Sequence, residues 1–220
     1  MWKNRKGQFF PYSDTAPRKK FPLLTITLII LNTSIFFWSL TDFENIISTF
    51  GFTPAYFSIL TIFTSMFLHG GLDHLFGNMW YLWIFGDNVE DYFGKFKFLV
   101  FYLLSGVVAA FFQFFTDPTS RIPSVGASGA ISGVLGAYLI LFPKEKILTN
   151  VQYFFIRIPA YIVIGFWFLI QFFFGTITLL GITGSNIGFW AHIGGFLFGL
   201  LFTKLFSKKK RRRSKFKFWV

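Results

Sequence analysis

The chain has 220 residues, which is enough for one domain or two small ones. Hydrophobic residues make up 54% of it and charged residues only 14%, whereas a soluble domain carries about 25% charged residues. This composition excludes a soluble globular protein, and the high hydrophobicity excludes intrinsic disorder. Because the sequence has no Cys, disulfides, thiolate zinc sites and cysteine nucleophiles are also excluded. The formal net charge of +12 needs an explanation of its own.

The middle of the chain consists of long, continuous apolar runs. In the hydrocarbon core of a membrane only helices and closed barrels satisfy the backbone, and these runs lack the alternation of barrel strands. They therefore predict an all-α integral membrane protein, a bundle of six transmembrane helices. The predicted helices are Pro22–Leu40, Leu72–Phe85, Phe96–Phe115, Ser128–Phe142, Ile158–Phe174 and Gly188–Phe206. A further apolar segment, Phe52–Leu68, contains Pro54 and is predicted as a partly membrane-inserted loop rather than a seventh span.

Basic residues are concentrated at the two ends of the chain. We divide it into a basic tail (1–21), a six-helix core (22–206) and a second basic tail (207–220). Six spans put both tails on one side of the membrane, which the positive-inside rule identifies as the cytoplasm. Only Arg121 among the 21 basic residues then lies on the other side. We interpret the tails as topology signals and contacts for anionic lipid head groups, and we expect no nucleic-acid partner because no such binding motif accompanies them.

A few strongly polar side chains occur in or beside the predicted spans, where such residues are usually functional. His74 and Asn78 are four residues apart and share one face at the outer end of the second helix, close to His69. Ser128 begins the fourth helix, and His192 lies near the start of the sixth. The predicted topology places these groups at a similar depth, toward the non-cytoplasmic side of the membrane.

Small residues recur about once per turn in the fourth and sixth helices, which favours backbone-to-backbone packing of the two. These positions are Gly129, Gly133 and Gly136 in the fourth helix and Ala191, Gly195 and Gly199 in the sixth. Such packing would bring Ser128 near His192, and an imidazole beside a hydroxyl can activate it as a nucleophile. Free N–H groups at the start of the fourth helix, with donors from His74 and Asn78, can stabilise a developing oxyanion.

Each of these features also has a purely structural explanation. Small residues pack membrane helices, a membrane His can hydrogen-bond within the bundle, and a Ser often bonds its own helix backbone. The G-x-S-x-G signature of soluble hydrolases is absent, and so is the H-E-x-x-H metal motif. Asp73, at the mouth of the second helix, is expected to cap that helix, so we predict no acidic third member of a catalytic triad.

Three motifs in this order resemble those of the rhomboid intramembrane serine proteases. They are Gly126-Ala-Ser128-Gly129, the H-x-x-x-N of His74 and Asn78, and the A-H-x-x-G around His192. The stretch 85–91 is also typical of bacterial and archaeal members, so the resemblance covers about residues 22–206. It implies a prokaryotic cell-membrane enzyme that hydrolyses peptide bonds in or near the transmembrane segments of its substrates.

The resemblance also implies a role for each residue of the site. Ser128 is the implied nucleophile and His192 the implied general base and acid, without an acidic partner. The backbone N–H of Ser128 and the side chains of His74 and Asn78 would hold the oxyanion, and no cofactor or metal is implied.

The sequence departs from the family in two places. Some members have an aromatic residue four positions after the nucleophile, stacked on the catalytic imidazole, but here that residue is Ser132. Another group must therefore fix His192, and neither Trp190 nor Tyr138 can be assigned to this task from the sequence. The first loop also lacks the Trp-Arg pair of many members.

Two other functions remain open at this stage. One is a catalytically silent rhomboid relative that acts as a membrane chaperone or dislocation factor, although such relatives usually lose the Ser or the His. The other is a small transporter that uses His69, His74 and Asn78 as an ion path. Transporters often contain internal repeats, and we find no convincing repeat here.

Overall fold

A computed structural model describes residues 9–151, 154–182, 184–185 and 187–207. Within these ranges the chain forms eight α-helices, two short 3-10 turns and three β-strands. The helices are α1 (Leu23–Ser39), α2 (Phe43–Phe50), α3 (Ile59–Thr64), α4 (Leu72–Phe93), α5 (Lys95–Thr116), α6 (Ser128–Leu141), α7 (Ala160–Leu179) and α8 (Phe189–Phe206). The strands are β1 (Phe9–Asp14), β2 (Lys146–Val151) and β3 (Phe154–Pro159). The basic segments 1–8 and 208–220 lie outside the described residues, and so do the lipid contacts predicted for them.

Each of the six predicted apolar segments is helical, and they correspond to α1, α4, α5, α6, α7 and α8. Three boundaries differ from the prediction by more than one residue, and one of them is the end of α7, which lies at Leu179 rather than at Phe174. α4 continues beyond Phe85 to Phe93, and α7 begins at Ala160 because Ile158 and Pro159 belong to β3. A proline next to the helix start is compatible with this boundary, because the first N–H groups of a helix need no intrahelical acceptor.

Three helices in the described ranges, α5, α7 and α8, are long and apolar enough to cross a membrane. The segment 59–67 and α4 pass the same test together, as a pair bent by 88°, which raises the number to four. α1 and α6 are apolar but shorter. The protein is therefore mostly helical, with three to four candidate spans by length and composition, and the predicted number of six spans stays a prediction.

A small antiparallel sheet, with strand order β1-β2-β3, was not predicted. β1 lies in the segment that we assigned to a basic tail, and it pairs with β2 across more than half of the chain length. The last two residues of β3, Ile158 and Pro159, directly precede α7, and the predicted fifth helix included them. The fold is therefore mostly helical, as predicted, but it is not all-α.

The sheet is attached to the helices through Asp14 at the end of β1. The Asp14 carboxylate accepts hydrogen bonds from the hydroxyl of Tyr138 on α6 and from Asn88 Nδ2 on α4, the latter at 2.8 Å. Burial, opposed by the hydrogen bond from Tyr138, raises the pKa of the Asp14 carboxyl from 3.8 to about 6. β1 is therefore tied to the end of α6 opposite Ser128.

α6 and α8 pack against each other through their glycines. A Cβ atom added to Gly195 would collide with the backbone carbonyl group of Gly129, and one added to Gly199 would collide with that of Gly133. Only residues without a side chain allow helix backbones to come this close. This packing brings the first residues of α6 against the first turns of α8.

Candidate active site

Ser128 and His192 meet where α6 and α8 begin. Ser128 is the first residue of α6, and His192 lies in the first turn of α8. His192 Nε2 is 2.7 Å from Ser128 Oγ, which is hydrogen-bond distance. An imidazole nitrogen in this position can take the hydroxyl proton and turn the serine into a nucleophile.

Two residues of α7 complete the surroundings of the imidazole, and sequence reasoning missed both. Gln171 Oε1 lies 2.8 Å from His192 Nδ1. The ring of Trp167, one helical turn earlier, lies against the imidazole with a centroid distance of 6.2 Å and an angle of 35° between the ring planes. The signal was present in the sequence, because Gln171 is the only amide in an otherwise largely apolar helix and follows Trp167 by four residues.

The aromatic residues considered from the sequence for fixing the His192 imidazole, Trp190 and Tyr138, have other hydrogen-bond partners. Trp190 donates its indole N–H to the carbonyl oxygen of Gly175 at 3.1 Å, and Tyr138 donates to Asp14. Ser132 donates its hydroxyl to the carbonyl oxygen of Ser128 at 2.6 Å, so it bonds within its own helix. Trp167 thus supplies the aromatic ring from a different helix.

His74 lies beside Ser128, at the start of α4. A Cβ atom added to Gly126 would lie 2.8 Å from His74 Nε2 and 3.5 Å from Ser128 Oγ, so the missing side chain of Gly126 leaves room for both of these side chains. Gly126 has a φ of +131°, a conformation that favours glycine. His74 Nδ1 accepts the Gly70 N–H at 3.3 Å. In the neutral imidazole the proton is then on Nε2, which can donate to a substrate oxygen.

The other two polar residues of this cluster have different positions. Asn78 Nδ2 donates to the carbonyl oxygen of His74, one turn earlier in α4, at 2.9 Å, and the amide lines the cavity that contains Ser128. His69 is fully buried, and its ring contacts that of His74 edge to face at a centroid distance of 5.2 Å. His69 therefore lies behind His74 and does not line that cavity.

A cavity of about 820 Å³ contains Ser128, His192, His74 and Asn78 together. Apolar residues such as Ile62, Met66 and Leu135 also line it. A cavity with an apolar lining and a few convergent polar groups is typical of binding sites for small ligands or chain segments. In the described part of the chain no three His, Asp or Glu side chains form a group that could hold a metal ion.

Comparison with known proteins identifies the family. Residues 57–209 match the profile of the Rhomboid domain, which is more than half of the chain. The chain belongs to the rhomboid family. The rhomboid-family protein YdcA of Bacillus subtilis is 32% identical over 154 residues, covering 69% of each chain. Rhomboid protease AarA of Providencia stuartii is 31% identical over 202 residues, covering 81% of this chain and 70% of AarA.

The relatives include proteases and a protein named as inactive. Inactive RHOMBOID-like protein 8 of Arabidopsis thaliana is 33% identical over 139 residues, covering 63% of this chain and 36% of that protein. Rhomboid proteins named as mitochondrial also match, and this chain spans 59% of the length of the one from Saccharomyces cerevisiae. Because the chain belongs to the rhomboid family and has apolar helices long enough to cross a membrane, it is an integral membrane protein. Serine proteolysis is supported only as an activity of the family, to which AarA also belongs.

Proposed function

We propose that this rhomboid-family protein is an intramembrane serine endopeptidase that hydrolyses peptide bonds in or near the transmembrane segments of membrane proteins. The distance of 2.7 Å between Ser128 Oγ and His192 Nε2 carries the proposal. Its support is the position of this pair in a cavity with two further polar side chains, His74 and Asn78.

The proposed reaction has two halves. Ser128 Oγ attacks the scissile carbonyl carbon while His192 Nε2 takes the hydroxyl proton, and the imidazolium then gives that proton to the leaving amine. Water hydrolyses the acyl-enzyme in the second half, again with His192 as the base. The oxyanion accepts hydrogen bonds from the Ser128 backbone N–H, which is free at the helix start, and from His74 Nε2 and Asn78.

The proposal includes the membrane arrangement. α1 and α4 to α8 cross the membrane as six spans of a core at residues 22–206, and the segment between α1 and α4 is partly inserted. Both basic tails, 1–21 and 207–220, then lie in the cytoplasm of a prokaryotic cell and contact anionic lipid head groups. Reporters fused at the carboxyl terminus and near Phe52 should report opposite sides. If both report the same side, the six-span arrangement is wrong.

The enzymatic assignment is tested with purified protein in detergent. Ser128→Ala and His192→Ala should each lower turnover of a transmembrane substrate by about 10⁶, and the double variant should lose little more, because a catalytic unit is not additive. A fluorophosphonate probe should label the wild type and not Ser128→Ala. Ser48→Ala is the control, because the Ser48 side chain is exposed, donates its hydroxyl to the carbonyl oxygen of Asn45 in its own helix and does not line the cavity.

The match to a relative named as inactive favours one alternative, a catalytically silent membrane protein. Such a protein would fold normally, and neither the wild type nor Ser128→Ala would react with the probe. Labelling of the wild type that depends on Ser128 would exclude this alternative.

A further inference from the structure

Gln171 is a buried amide in an apolar helix. Only 8% of its surface is exposed, and most of the other residues of α7 are apolar. A polar group in such a position is costly unless it is hydrogen-bonded, and polar residues within spans are usually functional. Gln171 Oε1 lies 2.8 Å from His192 Nδ1, so the hydrogen-bond partner of the amide oxygen is the imidazole.

This hydrogen bond determines which imidazole nitrogen carries the proton. A carbonyl oxygen only accepts, so His192 Nδ1 donates to Gln171 and Nε2 keeps its lone pair. The lone pair then faces Ser128 Oγ, the arrangement that a base needs. In the opposite tautomer an N–H would point at Ser128, and the imidazole could not remove the hydroxyl proton.

The chemistry of an amide suits this buried position. When His192 takes the proton from Ser128, its Nδ1–H still donates to Gln171 Oε1, so the imidazolium keeps its partner. A carboxylate would do the same, but a charge that is buried and unpaired before the reaction carries a large desolvation cost. The neutral amide avoids that cost.

The ring of Trp167 contacts the same imidazole. Its ring lies 6.2 Å from the imidazole centroid and also 5.9 Å from that of Phe196, one turn after His192 in α8. α7 therefore contacts the imidazole at one nitrogen through Gln171 and with the tilted ring of Trp167.

We propose that Gln171 is a positioning residue of the active site, which holds His192 in the tautomer that accepts the Ser128 proton, and that Trp167 confines the ring in this orientation. This inference rests on the proposed function, because it concerns the same Ser128 and His192 pair.

The experiment compares three variants in α7. Gln171→Leu removes the acceptor with a side chain that suits an apolar helix, and Gln171→Glu keeps an acceptor oxygen. Thr176→Val is the matched control, because the Thr176 hydroxyl bonds the carbonyl oxygen of Phe172 in its own helix. We expect Gln171→Leu to lower kcat by about 10–100-fold with little change in KM, as for other groups that orient a histidine. Gln171→Glu should recover most of the loss at a pH at which its carboxyl is ionised, because a carboxylate only accepts whereas a protonated carboxyl can also donate to Nδ1. Thr176→Val should behave as the wild type.

A second measurement reads the tautomer without using activity. In protein with ¹⁵N-labelled histidine, wild-type His192 should show a protonated Nδ1, and Gln171→Leu should shift the population toward a protonated Nε2. Wild-type kcat in Gln171→Leu or an unchanged tautomer would overturn the inference. Equal loss in folded Gln171→Leu and Gln171→Glu, at a pH at which the Glu carboxyl is ionised, would also overturn it. If the wild type neither cleaves nor labels, the proposed function fails, and the NMR measurement still decides whether Gln171 sets the tautomer.

Discussion

A single methyl group at Gly195 tests the link between helix packing and the active site. A Cβ atom there would lie 3.0 Å from the carbonyl carbon of Gly129 and closer still to its oxygen. These are backbone atoms, which cannot turn aside as a flexible side chain can, so α6 and α8 must move apart in Gly195→Ala. A separation of about 1 Å is needed to approach ordinary contact distances of about 3.5–4.0 Å.

This separation acts directly on the Ser128 and His192 pair. Gly129 follows Ser128, and Gly195 lies three residues after His192, so a movement of about 1 Å takes the 2.7 Å hydrogen bond beyond the usual limit of about 3.2 Å. Misplacement by about 1 Å can lower a rate by about 10², and overpacking costs about 1–3 kcal/mol of folding free energy. We therefore expect Gly195→Ala to lose about 100-fold in kcat and to unfold at a lower temperature.

The assay measures turnover of a transmembrane substrate and thermal unfolding in detergent. Gly165→Ala is the matched control, because an added Cβ at Gly165 in α7 has no atom within 4 Å among those it could meet. Alanine is the better helix former by about 1 kcal/mol, so this control should be neutral or slightly stabilising. If Gly195→Ala resembles Gly165→Ala in both measurements, the glycine contact does not position the active site.

Two further predictions concern the oxyanion donors and the sheet. His74→Ala should lower kcat by about 10²–10³ at nearly unchanged melting temperature, and Asn78→Ala should lower it less, because His74 and the Ser128 N–H remain. A lower melting temperature with intact kcat would instead make both residues interhelical hydrogen-bonding groups, worth about 0.6 kcal/mol each. For Asp14, folding raises the pKa from 3.8 to about 6, so the folded state favours the protonated carboxyl. The resulting stabilisation is complete below about pH 4 and is lost as the pH rises through about 6. The full pKa shift corresponds to about 3 kcal/mol of folding free energy. Solvent screens this partly exposed carboxyl, so we expect a stabilisation of about 1 kcal/mol. Melting curves between pH 7 and pH 5 should show this stabilisation in the wild type and not in Asp14→Asn, and equal pH dependence in both would refute it.

The sequence by itself determined the features that depend on local pattern. Apolar runs such as those of α5 and α8 predict membrane helices because the hydrocarbon core leaves the backbone few alternatives. The recurrence of Gly129, Gly133, Gly195 and Gly199 predicted the contact of α6 with α8, because missing side chains permit close backbone approach at any sequence distance. The motifs around Ser128 and His192 are local as well, and they indicated the family that the comparisons show.

Only the tertiary structure decided what surrounds His192. Gln171 and Trp167 lie on a third helix, and their contact with the imidazole depends on how α7 rotates and packs against α8, which no single-helix pattern specifies. The sheet escaped prediction for the same reason, because the partner of β1 lies more than 130 residues away and strand pairing is a long-range interaction. Local periodicity thus determines which segments become membrane helices, whereas the packing of side chains from different helices determines which groups meet at the active site.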